Sequence, residues 1–376
     1  MRVFPDGLRL LSRGAKREGA PSNDRIVRKT MLKRILLFLF AGVLALIGGG
    51  LAFLYLRKPA QAPASSAKVS MTAERIARGK YLFDHVADCG SCHSERDFTR
   101  VGAPIVPGHA GWGTDFSDFA PGLPGVVVAP NITPDQETGI GAWTDGQKIR
   151  AIREGVDKDG NALVPAMPYP SFRAMSDADV ESVVAYLDSL PPIRHPLPKT
   201  RVDFPLNLLI KAFPQPVGHV SPPASTDPVQ YGRYLATMAQ CQDCHTPVDK
   251  NHRPLAGMDF AGGRVFSDKP GTVVSANITP DMDTGIGKWS PEFFQKKMLE
   301  YQGYADHGSP RLAGPEAFTV MPWLSFCGLT PEDIHAIYAY VHSVKPVRHS
   351  VETHPGAPKA VSARSAVGSL ACGVTI

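Results

Sequence analysis

The hydrophobic positions of this 376-residue chain follow two patterns. Residues 35–56 contain no charged side chain, and these 22 residues are long enough to cross a hydrocarbon core of about 30 Å as one helix. Further along, hydrophobic side chains recur at helical spacing after Ser176 and again after Thr330, two residues of the type that caps helices. The pattern predicts one transmembrane helix followed by a mainly α-helical part.

A long internal repeat organises that second part. The string NITPDQETGIGAW from Asn131 matches NITPDMDTGIGKW from Asn277, and MPYPSF from Met167 matches MPWLSF from Met321. Shorter matches are RGKYL with YGRYL and PPIRH with KPVRH. Such a repeat predicts a duplicated domain, with repeat 1 at residues 70–195 and repeat 2 at residues 228–349.

The segments outside the repeats differ in composition. Residues 196–227 are rich in proline and are expected to form a linker. Within it, the apolar stretch 204–213 is expected to pack against a domain, with the membrane surface and a partner subunit as alternatives. Residues 350–376 are small and polar, which predicts a disordered tail.

Each repeat contains one CxxCH motif, which is typical of covalent c-type haem attachment. In this chemistry two thiols add across the haem vinyl groups, and the adjacent histidine binds the iron. A single CxxCH could instead belong to a zinc site or a redox-active dithiol. Two copies in a repeated context favour two covalently bound haem c groups, held by Cys89, Cys92 and His93 and by Cys241, Cys244 and His245.

On these motifs, residues 70–350 resemble the membrane-anchored multi-haem cytochrome c subunits of bacterial alcohol, aldehyde, gluconate and fructose dehydrogenases. Many members of that group carry three haem motifs, whereas this chain carries two. The resemblance implies an electron carrier that serves a dehydrogenase catalytic subunit. It does not indicate which substrate that dehydrogenase oxidises.

The resemblance also implies that the methionine of each MP motif is the second axial ligand of the iron. Met167 and Met321 follow their motif histidines by 74 and 76 residues, and the proline after each prevents a regular helix there. A thioether ligand raises the haem potential, which suits an electron carrier. The alternatives are methionines that merely pack, or ligation by the matched His195 and His349, which are more simply surface or domain-contact residues.

The charge distribution predicts the topology. Residues 1–34 hold ten basic and three acidic side chains, so this segment is expected to stay in the cytoplasm, unless translation begins at Met31. The haem domains would then be periplasmic on a single-pass anchor in the inner membrane. The AQA string at residues 60–62 leaves a cleaved signal sequence as an alternative.

Composition restricts the possible partners. Residues 1–58 carry twelve basic and three acidic side chains, so the remaining 28 basic and 32 acidic ones give residues 59–376 a net charge of −4. This balance argues against nucleic acid as a partner.

We therefore expect an electron carrier rather than an enzyme. Electrons would pass from a dehydrogenase to a quinone, a soluble cytochrome or a terminal oxidase. The alternatives are a di-haem peroxidase, which needs one open iron and so fits two matched methionines poorly, and a tether that needs no haem. Cys327 and Cys372 remain outside the motifs, and Cys327 is expected to be a buried structural thiol.

Overall fold

A computed structural model describes residues 23–66, 68–115, 125–250, 252–268, 271–314 and 317–355. The segment 1–22, most of the predicted cytoplasmic part, lies outside these residues. So do residues 356–376 of the predicted tail, including Cys372. The first tail residues do contact repeat 2, because Thr353 O accepts a hydrogen bond from Val274 N at 2.8 Å.

The predicted transmembrane segment forms the end of a longer helix, α1 (Asn23–Leu56). Its apolar part is long enough to cross a membrane, although a signal sequence near the amino terminus would meet the same criterion. Residues from Lys58 onward form a separate compact unit.

That unit is mainly helical, as predicted. Repeat 1 contains α2 (Ala73–Tyr81), a π-helical turn (Leu82–Val86), α3 (Cys89–His93), α4 (Asp145–Glu154), α5 (Tyr169–Phe172) and α6 (Asp177–Ser189). The linker contains α7 (Leu206–Leu209) and a 3-10 turn (Ile210–Ala212). Repeat 2 contains α8 (Pro228–Met238), α9 (Cys241–His245), α10 (Pro291–Met298), α11 (Gln302–His307), α12 (Trp323–Phe326) and α13 (Pro331–Ser343).

The described strands are short and form three antiparallel pairs. β1 (Thr114–Asp115) pairs with β3 (Val128–Ala129), and β5 (Val265–Asp268) pairs with β6 (Gly271–Val274). The remaining pair joins β2 (Gly125–Val126) to β4 (Arg201–Val202), which fastens the start of the linker to repeat 1.

The first and last helices of each repeat pack directly against each other, α2 on α6 and α8 on α13. A glycine makes this close approach possible in both cases. A Cβ atom at Gly79 would lie 1.8 Å from Ser182 O, and one at Gly232 would lie 1.8 Å from Ala336 O. These glycines are therefore required by packing and are not merely tolerated in a helix.

The chain on either side of repeat 1 runs along its surface. Lys58 Nζ donates to Asn161 Oδ1 at 2.9 Å, and Val69 N donates to Asp145 Oδ2 at 2.8 Å. The buried Glu154 accepts from Ala62 N and, through its other oxygen, from Val217 N in the linker. Repeat 1 thus organises both the segment that precedes it and the linker that follows it.

The apolar stretch 204–213 packs only in part. Ile210 is buried, as expected for packing against a domain, but Phe204 is 69% exposed and Leu209 is 58% exposed.

Candidate functional site

The two CxxCH motifs form matched short helices, each entered through a sharp turn. Asp88 and Gln240, the residues immediately before α3 and α9, both adopt the left-handed conformation, with φ of 49° and 58°. This conformation ends the preceding helical segment and redirects the chain. The Cys, Cys and His side chains of each motif therefore project from one helical turn.

Each motif histidine is oriented by a backbone carbonyl. His93 Nδ1 lies 2.8 Å from Pro130 O, and His245 Nδ1 lies 2.7 Å from Ala276 O. Since a carbonyl can only accept, Nδ1 carries the proton, and the lone pair of Nε2 is free for a metal. Burial lowers the pKa of both imidazoles, which favours the neutral form that binds iron.

The residues after each histidine are fixed by a second set of matched bonds. Gly113 N donates to His93 O at 2.9 Å, and Gly262 N donates to His245 O at 2.7 Å. One position further on, Ser94 Oγ accepts from Gly111 N, and Thr246 Oγ1 accepts from Phe260 N. The sequence comparison did not reveal these contacts, because most of them use backbone atoms that carry no residue-specific pattern.

The NITPD loops begin directly after the residues whose carbonyls orient the histidines. The side-chain nitrogen Nδ2 of Asn131 donates to Ile193 O at 2.7 Å, and Nδ2 of Asn277 donates to Val347 O at 2.8 Å. Each loop is thereby fastened to the segment after the last helix of its repeat. Trp143 and Trp289 are half-buried against the hydrophobic core, in agreement with a packing role.

The matched histidines at the ends of the repeats also support this loop region. His195 Nδ1 contacts Trp112 O at 2.9 Å, and His349 Nδ1 contacts Ala261 O at 2.8 Å. Each contact lies within its own repeat. Both histidines are half-buried, which agrees with a position at the surface of their own repeat, and they support the loop beside the motif histidine.

The methionines of the MP motifs occupy equivalent turns. Met167 precedes α5 and Met321 precedes α12, and both side chains are half-buried against the hydrophobic core on which Cys89 also packs. Met321 N is held by Thr319 Oγ1 at 3.1 Å, and Met167 N by Val164 O at 3.0 Å.

The alternatives to haem find little support in this geometry. Burial raises the pKa of Cys241 to about 12 and also raises that of Cys89, whereas a redox-active dithiol requires a lowered thiol pKa. Within the described part of the chain, no group of three or more His, Cys, Asp or Glu side chains is placed to hold a metal ion. The two thiols beside a histidine with a free Nε2, and the half-buried methionine, fit a covalently attached haem c.

The family comparison agrees with this fit. The family model described as Cytochrome c matches twice, at residues 76–191 and 229–345. The chain belongs to the cytochrome c family. This tandem cytochrome c carries two covalently bound haem c groups and transfers electrons.

Three curated relatives resemble this cytochrome c over most of its length. The fructose dehydrogenase cytochrome subunit of Gluconobacter japonicus is 31% identical over 318 residues, which cover 81% of this chain and 60% of that protein. The gluconate 2-dehydrogenase cytochrome c subunit of Pantoea cypripedii is 30% identical over 72% of this chain and 59% of its own length. A diheme cytochrome c-type protein of Cereibacter sphaeroides is 30% identical over 64% of this chain and 79% of its own length.

The chain thus spans about 60% of the two dehydrogenase subunits. These relatives are cytochromes, and the peroxidase alternative gains no support from them.

Proposed function

We propose that this cytochrome receives electrons from a dehydrogenase subunit on the periplasmic side of the inner membrane and passes them to a quinone, a soluble cytochrome or a terminal oxidase. The observation that carries the proposal is the matched pair of CxxCH helices, each with Nε2 of its histidine left free. The dehydrogenase donor is supported by the relatives that are named as subunits of fructose and gluconate dehydrogenases.

The proposed ligand sets follow the two repeats. Cys89 and Cys92 would hold one haem covalently, with His93 and Met167 as its axial ligands. The second set is Cys241, Cys244, His245 and Met321. Haem c, when bound, supplies one-electron exchange between ferric and ferrous iron.

The protein's own residues contribute orientation and exclusion of water. The carbonyls of Pro130 and Ala276 fix the direction and tautomer of the two imidazoles, and a hydrogen bond of this kind also raises the basicity of a ligating histidine. The buried side chains Leu82 and Phe83 of repeat 1, and Leu235 of repeat 2, keep the interior apolar. Such an environment favours the less charged, reduced state of the iron.

The proposed boundaries of the functional parts are those of the sequence analysis. Residues 35–56 anchor the protein, residues 70–195 and 228–349 form the two haem domains, and residues 196–227 link them. The basic side chains before the apolar helix support an amino terminus in the cytoplasm and haem domains in the periplasm.

Paired cysteine substitutions test the haem assignment. In Cys89→Ala/Cys92→Ala and in Cys241→Ala/Cys244→Ala, we expect the intact mass of the mature protein to show one haem instead of two. Cys327→Ala is the matched control, because this thiol is buried and contacts Leu324 O at 3.2 Å. Two haems on either paired variant, or one on the control, would contradict the assignment.

The dehydrogenase partner is tested in native membranes. Fructose, gluconate and ethanol are added separately to membranes with and without this chain, and reduction of c-type haem is followed by absorbance. We expect one of the substrates to reduce haem c in membranes that contain the chain and not in those that lack it. If reduction by all three is the same in both membranes, a fructose, gluconate or alcohol dehydrogenase is rejected as the electron donor.

A further inference from the structure

Two tyrosines connect the repeats in a reciprocal manner. Tyr81, at the end of α2 in repeat 1, donates its hydroxyl proton to Asp333 Oδ2 in repeat 2 at 2.6 Å. Tyr234, on α8 in repeat 2, donates to Asp179 Oδ2 in repeat 1, also at 2.6 Å. The tyrosines occupy matched positions in RGKYL and YGRYL, and the two aspartates are each the third residue of the last helix of their repeat.

Each hydroxyl also accepts a hydrogen bond from the same helix. Thr330 N donates to Tyr81 OH at 3.2 Å, and Ser176 N donates to Tyr234 OH at 3.0 Å. Thr330 and Ser176 are the N-cap residues of α13 and α6. The amides that begin a helix have no partner within it, so a hydroxyl from the other repeat satisfies one of them. We call these two arrangements the Tyr–Asp bridges.

Three of the four side chains in the bridges are buried, and Tyr81 is half-buried. Tyr234 and Asp179 are each 7% exposed, and Asp333 is 5% exposed. Burial raises the pKa of both tyrosines, so the phenols remain protonated donors at neutral pH. A hydrogen bond to a charged carboxylate in such a place contributes more than one between neutral groups.

A second pair of contacts runs between the repeats from the matched serines of the two MP motifs, and their aspartate partners occupy different positions of the two repeats. Ser325 Oγ, on α12, donates to Asp88 Oδ1 at 2.6 Å, and Asp88 directly precedes Cys89. In the opposite direction, Ser171 Oγ, on α5, donates to Asp243 Oδ2 at 3.2 Å, between Cys241 and Cys244. The turn that follows each MP methionine therefore contacts the CxxCH region of the other repeat.

We propose that Tyr81 and Tyr234 are positioning residues that fix the two haem domains relative to each other. The two Tyr–Asp bridges run in both directions between equivalent residues, so the same chemistry holds both sides of the interface. Losing one hydrogen bond to a charged group shifts such an equilibrium by about tenfold or more. The inference rests on the proposed function only in requiring one haem per repeat.

The test compares tyrosine-to-phenylalanine variants of the holoprotein. Tyr81→Phe, Tyr234→Phe and the double variant each remove only hydroxyl groups. Tyr338→Phe is the matched control, because its hydroxyl donates to Trp289 O at 2.9 Å within repeat 2. The readout is the distribution of iron–iron distances in the oxidised protein, measured by pulsed electron paramagnetic resonance, together with amide hydrogen exchange.

We expect a broader iron–iron distribution in the single variants and a still broader one in the double variant, with no change in Tyr338→Phe. Amide hydrogen exchange at the start of α6 should become about tenfold faster in Tyr81→Phe. Tyr234, which accepts from Ser176 N, is unchanged in that variant, so this effect would come from loosening of the whole interface. An unchanged distribution in all three bridge variants overturns the proposal, as does faster exchange confined to residues that touch the altered tyrosine. Haem content is measured in each sample, and two haems on a variant with an unchanged distribution reject the bridges while leaving the proposed function intact.

Discussion

At the residue scale, one backbone carbonyl in each repeat decides how the histidine can bind iron. Pro130 O and Ala276 O accept hydrogen bonds from Nδ1 of His93 and His245, so only Nε2 of each imidazole is free to bind iron. A substitution at these positions would not remove the carbonyl, which explains why the side chains before the two Asn residues can differ.

Removal of an axial thioether should affect one haem at a time. We expect Met167→Ala and Met321→Ala each to lower one reduction potential, well within the roughly 0.8 V range over which axial ligands set haem potentials. Each variant should also open one iron to carbon monoxide. A redox titration and a carbon monoxide difference spectrum measure both effects.

Met175→Leu is the control, because Met175 is fully buried and the matched position in repeat 2 holds Leu329. Met175→Leu should leave both haem reduction potentials unchanged. Potentials that do not change in either alanine variant would show that the methionines only pack.

The aspartates of the two NITPD loops should make stability depend on pH in acid. Hydrogen bonds from Thr138 lower the pKa of Asp135, and hydrogen bonds from Thr284 lower that of Asp281. Because the folded pKa is below the unfolded one, the stabilisation is complete above the ordinary aspartate pKa of about 3.9 and is lost as pH falls through the folded pKa.

Asp135→Asn/Asp281→Asn should therefore lose less thermal stability than the parent between about pH 5 and pH 3. Unfolding midpoints across that range measure the difference, with the exposed Glu352→Gln as control. Parallel curves for the parent and the double variant would be inconsistent with this role.

At the element scale, the close contact between first and last helices depends on two glycines. Gly79→Ala and Gly232→Ala should each lower the free energy of unfolding by about 1–3 kcal/mol, because the new methyl group would overlap a backbone carbonyl. Denaturant unfolding of the purified holoprotein measures the loss.

Gly303→Ala provides the matched control in α11, where a Cβ atom meets nothing within 4 Å. This change should be neutral or stabilising by up to about 1 kcal/mol. Equal losses in all three variants would mean that packing is not the cause.

The sequence predicted the main helices well, since their capping and periodicity are local properties. Helices α6 and α13 begin directly after Ser176 and Thr330, as their capping patterns indicated. The first helix of repeat 1 changes to a π-helical turn at Leu82. That change gives no local pattern in the sequence, because it depends on what packs against the helix.

At the scale of the whole molecule, the duplication was visible in the sequence but the contacts between the copies were not. Tyr81 and Asp333 are 252 positions apart, and nothing in their immediate sequence indicates that they meet. The CxxCH motifs identified their candidate ligands because covalent haem attachment fixes the spacing within the motif. Met167 and Met321 were candidates because they are matched in the repeat and because the family resemblance implies this role. The backbone carbonyls and the hydroxyls from the other repeat that position those ligands have no fixed sequence spacing, so no motif marks them.

The compact unit from Lys58 onward should be stable without the apolar helix. We expect a version with residues 1–57 replaced by a cleaved export signal to carry two haems and to stay in the aqueous fraction. The full chain should remain with the membrane after alkaline extraction. Mass spectrometry and fractionation measure both outcomes, and a truncated form that still sediments with membranes would argue for a second attachment site.

The two repeats have also diverged in one segment that touches both. The stretch from Asn277 to Met321 is eight residues longer than that from Asn131 to Met167. Part of the longer stretch forms backbone hydrogen bonds with repeat 1. Val101 N donates to Pro310 O at 3.0 Å, and Leu312 N donates to Thr99 O at 2.9 Å. A protein made of two copies of repeat 1 would keep the tyrosines and aspartates of both bridges. It would lack the backbone hydrogen bonds made by Pro310 and Leu312. The order of the two repeats along the chain therefore matters, because the residues that pair across this contact differ between them.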